Sequence, residues 1–160
     1  MKGMVIWSFA LRENEPSPCN IRLAEAVKRI LEAEPDDLVI ISQWEVAKKL
    51  QEDGIEIYRI IEPFSDGSYL DSTDIWEVAR RCFSKMGVEE IIGVANPFIH
   101  GYVVERMIKK DGFAYVSSHD YLVGKVGFDR LSLQWWTRGP IRFLIYAVLK
   151  ALHLAKFFRR

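Results

Sequence analysis

Short apolar runs alternate along the whole chain with stretches of helical periodicity. Residues 4–10 and Leu38-Val39-Ile40-Ile41 lack polar alternation, which predicts strands covered on both faces. Between them Pro16-Ser17-Pro18 breaks the chain. Asn20 then caps a helix marked by Leu23, Val27, Ile30 and Leu31. Ser42-Gln43-Trp44-Glu45 has the form of a capping box, opening a helix that runs to Asp53 and stops at Gly54. Further strands are predicted at Ile55–Ile61, Glu90–Ala95 and Phe113–Ser118. Asp71 or Ser72 opens a helix with Ile75, Val78, Ala79, Cys82 and Phe83 inward, ended by Gly87. Another runs from about His100 to Lys110, closed by Gly112. Turns fall at Pro35-Asp36-Asp37 and Asp66-Gly67, and residues 119–137 read as an irregular connection. Pro140 suits the first turn of a last helix, at about residues 139–158.

Strand and helix alternate, and every connection between strands carries a helix-length insert. This predicts an α/β fold: a three-layer α/β/α sandwich around a mostly parallel, five-stranded, Rossmann-like sheet. Residues 1–160 are read as a single domain, long enough to bury a core without metals or disulfides. The apolar share of 49% excludes disorder and fibrous architecture. Cys19 and Cys82 belong to no C-x-x-C or Cys/His spacing and are expected as free thiols in a reducing compartment. The start of the chain lacks a signal-peptide pattern. The longest apolar run, Phe143–Leu149, is far short of the ~18 residues a membrane span needs. A cytoplasmic location is expected.

Net charge is +0, which removes the simplest argument for nucleic-acid binding, yet its distribution is uneven. All acidic residues lie at or before Asp129, whereas residues 130–160 hold seven basic side chains and no acid. Either the basic tail lies against an acidic body or it meets an anionic partner.

In a parallel sheet, ligands bind beyond the carboxyl ends of the strands. That edge collects Ser8, Ser42, Glu45, Glu62, Ser72, Thr73, Asn96, His100 and His119-Asp120. Each has a plainer reading. Glu45 can be a capping partner, Asp71 through Asp74 ordinary helix-start residues, and His100 a structural histidine. His153 is given no role, and Trp135-Trp136 reads as a core or lid plug. Glu62, His100, His119 and Asp120 are conceivable metal ligands, but their spacing matches no ligand motif. G-x-S-x-G, G-x-G-x-x-G and G-x-x-x-x-G-K-[ST] are absent, and no motif names a cofactor.

The order of these features resembles the YdcF/SanA/ElyC-like family over roughly residues 4–150. The pieces that carry the likeness are Arg22 and Ala26 in the first helix, Leu38–Ser42 leading into Glu45, Glu62, Ser72-Thr73, Val94 through His100, and Arg138-Gly139-Pro140. The resemblance implies a polar cleft over the strand ends, with Arg22, Glu45, Glu62, Thr73 and His100 in it. The chain departs from the family at the turns after its first two strands. There Trp7-Ser8-Phe9-Ala10 and Ser42-Gln43-Trp44 stand where glycines are usual, making close backbone approach to a phosphate less favourable.

The expected function is binding of a small polar, anionic ligand in that cleft, with hydrolysis or group transfer as the reaction if it is catalytic. His100 and Glu62 are the expected catalytic residues, as acid/base and as its electrostatic partner or a metal ligand. A nearby carboxylate would raise the imidazole pKa. Arg22, Ser42, Glu45, Ser72, Thr73 and Asn96 would contact the ligand, Thr73 and neighbouring helix N–H groups forming an anion cradle. The alternatives are a non-catalytic binding or scaffold protein, and peripheral membrane attachment through an apolar stripe of the last helix (Phe143, Leu144, Ala147, Val148, Lys150, Ala151, Leu154 and Phe158). Docking of that stripe onto the sheet is preferred.

Overall fold

The first strand, β1 (Lys2–Ile6), lies in the middle of the sheet, because its apolar run has no polar face to offer water. A computed structural model of the protein describes residues 1–13, 15–34, 37–65 and 70–152. Parts of the predicted turns at 35–37 and 66–67, and the end of the last helix with His153, Leu154 and Phe158, lie outside the described residues.

β1 pairs in parallel with β2 (Leu38–Gln43) on one side and β4 (Glu90–Val94) on the other. The edges are β3 (Arg59–Ile61) and β5 (Ala114–Ser117), giving five parallel strands in the order β3-β2-β1-β4-β5. The predicted Rossmann-like three-layer architecture is what the chain adopts. Two strands, β1 and β3, fall well short of their predicted runs, while β4 and β5 lose only a terminal residue or two. β1 stops at Ile6 because the chain bends away at Ser8 to Ala10. β3 starts only at Arg59: after the helix stop at Gly54 the chain first meets β2 at Tyr58, whose N–H donates to the Ile40 carbonyl at 3.0 Å.

Alternate strand residues face opposite layers. Met4, Ile6, Ile40, Ile92 and Val94 pack beneath α1 (Pro18–Ala33) and α2 (Trp44–Glu52). Val5, Trp7, Ile41 and Ile91 pack beneath α3 (Ser72–Met86) and α4 (Ile99–Lys110). Cys19 belongs to the first layer and Cys82 borders the second, so the sheet separates the two free thiols.

Local chemistry sets the helix ends. Ser17, not Asn20, caps α1, its hydroxyl accepting from the Asn20 N–H at 3.1 Å. Asp71 and Asp74 form a reciprocal capping box at the head of α3, and Gly87 ends that helix with φ 68°. The box expected at Ser42 does not form. Ser42 is the penultimate residue of β2, and Gln43 occupies the cap position without a side-chain cap bond.

The connection at 119–137 holds one short helix, α5 (His119–Leu122), and a 3₁₀ turn at Trp135–Arg138. Arg12 and Asp129 tie it down with two hydrogen bonds of 2.7 and 3.0 Å, a bidentate pair whose carboxylate is almost fully buried. The last helix, α6 (Pro140–Ala151), packs Phe143 and Tyr146 into the first layer, stacking the Tyr146 ring on Trp136.

Gly93 in β4 leaves no space for a side chain. A Cβ there would lie 2.8 Å from Val104 and 3.0 Å from the Tyr115 ring. Gly93→Ala is expected to lower stability by about 1–3 kcal/mol, read as a lower urea midpoint at unchanged slope.

Candidate functional site

Strand order reverses between β1 and β4, where the chains leaving the two strands part toward opposite layers and open a crevice. The turn after β1 forms one wall. Its shape is fixed by Asn20 and Ser17 at the head of α1. The Asn20 side chain accepts from the Phe9 N–H at 2.7 Å and donates to the Ala10 carbonyl at 3.0 Å. The Ser17 hydroxyl donates to the Phe9 carbonyl at 3.1 Å. These bonds hold Ala10 at φ 70°, a left-handed conformation that glycine adopts freely and alanine does not. Glycine is therefore missing from this turn as a residue, while a glycine-like backbone remains.

Two further bonds bring the other walls in. The Ser8 N–H donates to Gln43 Oε1 at 3.0 Å, joining the ends of β1 and β2. The Trp7 indole donates to the Ser72 carbonyl at 3.2 Å, drawing the head of α3 over the end of β1. There Ser72 Oγ lies 2.9 Å from Nε2 of His100, in the first turn of α4. The His100 ring packs between Trp7 and Phe9, with centroids 6.4 and 6.3 Å away.

This hydroxyl–imidazole pair opens onto a cleft of about 270 Å³. Ser8, Asp71, Ser72, His100, Thr137 and Lys150 give it a polar side. Phe9, Val103, Trp136, Phe143, Tyr146 and Ala147 give it an apolar one. Lys150 on α6 faces Asp71 across it, with a nitrogen–oxygen separation of 3.8 Å.

Burial pushes the His100 pKa down to about 4, and the Lys150 charge acts in the same direction. The ring is therefore neutral at neutral pH. The upward shift expected from a neighbouring carboxylate does not occur, because the charge that reaches the ring is a lysine's. Nδ1 of His100 is buried without a hydrogen-bond partner, so among the described residues no carboxylate orients the ring.

A smaller hollow of about 70 Å³ is lined by Arg12, Ser17, Asn20, Trp44, Glu45 and Lys48. Burial pushes the Glu45 pKa up to about 6, partly offset by the Ser8 side chain, which also lines the cleft. Glu62, exposed just past β3, adds repulsion between like charges.

The expected site residues thus divide. Ser72 and His100 meet in the cleft. Glu45 lines the smaller hollow, within electrostatic reach of the exposed Glu62. Thr73 is exposed, and its N–H and that of Asp74 already bond to the Asp71 carboxylate at 2.7 and 3.1 Å, so the expected anion cradle is filled by the protein's own acid. Ser42 is fully buried and donates to the Gln43 carbonyl. Asn96 spends its amide on the Gly127 carbonyl and the Phe98 N–H, at 2.8 and 3.0 Å, joining β4 to the irregular connection. Arg22 is exposed on α1 and donates to the Lys125 carbonyl at 3.0 Å. Among the described residues no group of three His, Cys, Asp or Glu side chains converges on a metal position, so Glu62, His100, His119 and Asp120 form no such cluster.

The reading of Trp135-Trp136 as a core or lid plug fits Trp136, which is buried and lines the cleft, but sequence reasoning does not place Lys150 and the rest of the α6 wall there. Arg138-Gly139-Pro140 fixes where α6 begins but not which way it lies. No model of a known protein family matches the chain, and no curated protein matches it.

Ala10→Gly is expected to stabilise the protein by about 1 kcal/mol by relieving the left-handed alanine, measured by urea unfolding. The buried imidazole predicts a pH dependence. Below its usual 6.5 the unfolded chain takes a proton that the native ring refuses down to about 4, so stability is lost as pH falls through that interval. Glu45 acts oppositely, gaining stability as pH falls from about 6 toward 4.5. His100→Gln removes the first effect alone. The difference in unfolding free energy between wild type and variant should move steadily across 6.5 to about 4, with the wild type losing ground toward acid.

Proposed function

We propose that this protein binds a small molecule with an apolar body and a polar, anionic end in the cleft between β1 and β4. There Ser72 and His100 carry out hydrolysis or group transfer. One observation carries this reading: a serine hydroxyl 2.9 Å from a neutral imidazole, at the mouth of a cleft at the topological switch point. The mixed lining supports a ligand with two ends. Lys150 is the cation for the anionic end, since its 3.8 Å contact with Asp71 is long enough to yield to a closer partner.

In the proposed chemistry Ser72 Oγ forms a bond to an acyl or phosphoryl centre as its proton passes to Nε2. The bond to the leaving group breaks, and the imidazolium returns the proton to it. Water, or an acceptor hydroxyl, then displaces the serine through the same proton route. An anion bound beside the ring raises its proton affinity and so strengthens it as a base in the complex. A non-catalytic reading has its own support: Nδ1 lacks the orienting acid a stronger base would have. Membership of the YdcF/SanA/ElyC-like family and a cytoplasmic location belong to the same proposal. The first is supported by the residues that carry the resemblance, the second by two cysteines that both stand as free thiols.

Thermal-shift screening against phosphorylated and carboxylated small molecules, paired with turnover of p-nitrophenyl acetate and phosphate, tests this. A true ligand at a hundredfold excess over its Kd stabilises the native state by about 2.7 kcal/mol. Turnover should fall at least about a hundredfold in Ser72→Ala and His100→Gln. Stabilisation without turnover leaves the binding function and removes the catalytic one. No shift with any of the compounds and no turnover contradicts both.

A further inference from the structure

Among the described residues, helix α6 is apolar on two opposite sides and buries only one of them. Phe143 and Tyr146 are buried in the first layer. On the outer side Ile141, Leu144, Ile145, Val148 and Leu152 follow one another at intervals of three, one, three and four residues. This places them in one stripe, with exposures from 49% to 74%. Single exposed apolar residues are ordinary, but four aligned aliphatic side chains on one helix, with a fifth at its C-cap, are not. Among the described residues no helix is long and apolar enough to cross a membrane.

The charge around the stripe narrows what covers it. Residues 130–160 carry seven basic side chains and no acidic one. Arg142 is exposed on α6 itself. Lys156, Arg159 and Arg160 follow in the sequence. A second copy pairing through the same helix would set two like-charged segments against each other, and repulsion opposes that pairing. The stripe is also the outer side of a helix, a convex shape. A polypeptide partner would need a complementary groove, whereas an acyl layer yields around it. An aliphatic side with Arg142 on the same helix, and three more cations after it in the sequence, is the chemistry of a helix lying in the plane of an anionic bilayer.

We propose that α6 docks this protein on membranes containing anionic lipid, with Ile141, Leu144, Ile145, Val148 and Leu152 entering the headgroup–acyl boundary. The same helix supplies Lys150 and Phe143 to the cleft wall, so docking sets the cleft beside the lipid surface. The inference rests on the outer stripe and the charge of the segment, and it stands whether or not the cleft is catalytic.

Co-sedimentation of the full chain with two vesicle types tests it: phosphatidylcholine alone, and an equimolar mixture with phosphatidylglycerol. Binding to the mixed vesicles should be at least about tenfold tighter and should weaken as salt rises. The double variant Leu144→Glu/Val148→Glu changes exposed positions only and should keep the wild-type melting temperature while losing at least about tenfold in vesicle affinity. If that variant fails to fold, Ile145→Ser replaces it, with a smaller loss in the same direction. The proposal is overturned if the wild type ignores mixed vesicles at low salt, or if the folded variant binds them as well as the wild type does. It is also overturned if a wild-type dimer, insensitive to vesicles, becomes monomeric in the variant, which would assign the stripe to a second copy. Retention on polyglutamate without vesicle binding would assign it to an acidic polypeptide instead.

Discussion

Parallel pairing of β1 on both of its edges is the constraint from which the rest of this structure follows. A strand with parallel neighbours on both sides cannot turn back on itself, so its chain must leave the sheet at the carboxyl end. The neighbouring strands β2 and β4 end at the same edge. The chain leaving β1 goes to the layer of α1, and the chain leaving β4 goes to the layer of α4. The gap between them is a product of topology and would exist whatever residues lined it. Residues then decide what the gap is for, and here they supply a serine, a histidine and an aromatic wall.

Several polar contacts keep that gap open in one shape. Asn20 and Ser17 grip the turn at Phe9 and Ala10, and the Trp7 indole holds the carbonyl of Ser72. Arg12 and Asp129 fasten the irregular connection to the loop after β1, and Asn96 fastens it to the end of β4. These groups are buried or nearly so, where an unmade hydrogen bond costs more than a made one contributes. They determine which conformation the loops keep. Ser72 and His100 inherit their 2.9 Å separation from this scaffold, since the two residues sit on helices of one layer whose heads are drawn over the end of β1.

Much of the fold was legible in the chain because burial on both faces leaves a plain mark. Leu38–Ile41 and Ile91–Val94 are apolar runs without alternation, and helical spacing fills the intervals. The edge at which Ser72 and His100 meet was legible too, from the rule that strand ends face the ligand. What was not legible was which polar residues at that edge would be used by the fold itself. Asn96, Ser42 and Thr73 stand at the right end of the sheet, yet their hydrogen bonds go to backbone groups or caps nearby. Such local bonds depend on loop geometry that no periodicity records. The partner chosen for His100 failed for a related reason. Glu62 leaves an edge strand two places from β1, while Ser72 returns over β1 with the head of α3. The aromatic wall from α6 depends on the path of residues 119–137, which has no regular element long enough to project from sequence.

The proposed chemistry requires Ser72 to be a hydroxyl activated by His100 within an accessible cleft. Labelling the protein with a small alkyl fluorophosphonate, followed by peptide mass spectrometry, interrogates that serine directly. If the proposed chemistry holds, Ser72 takes up a phosphonyl adduct that His100→Gln abolishes while leaving the fold intact. An unlabelled Ser72, or labelling at the same rate in the variant, would contradict it.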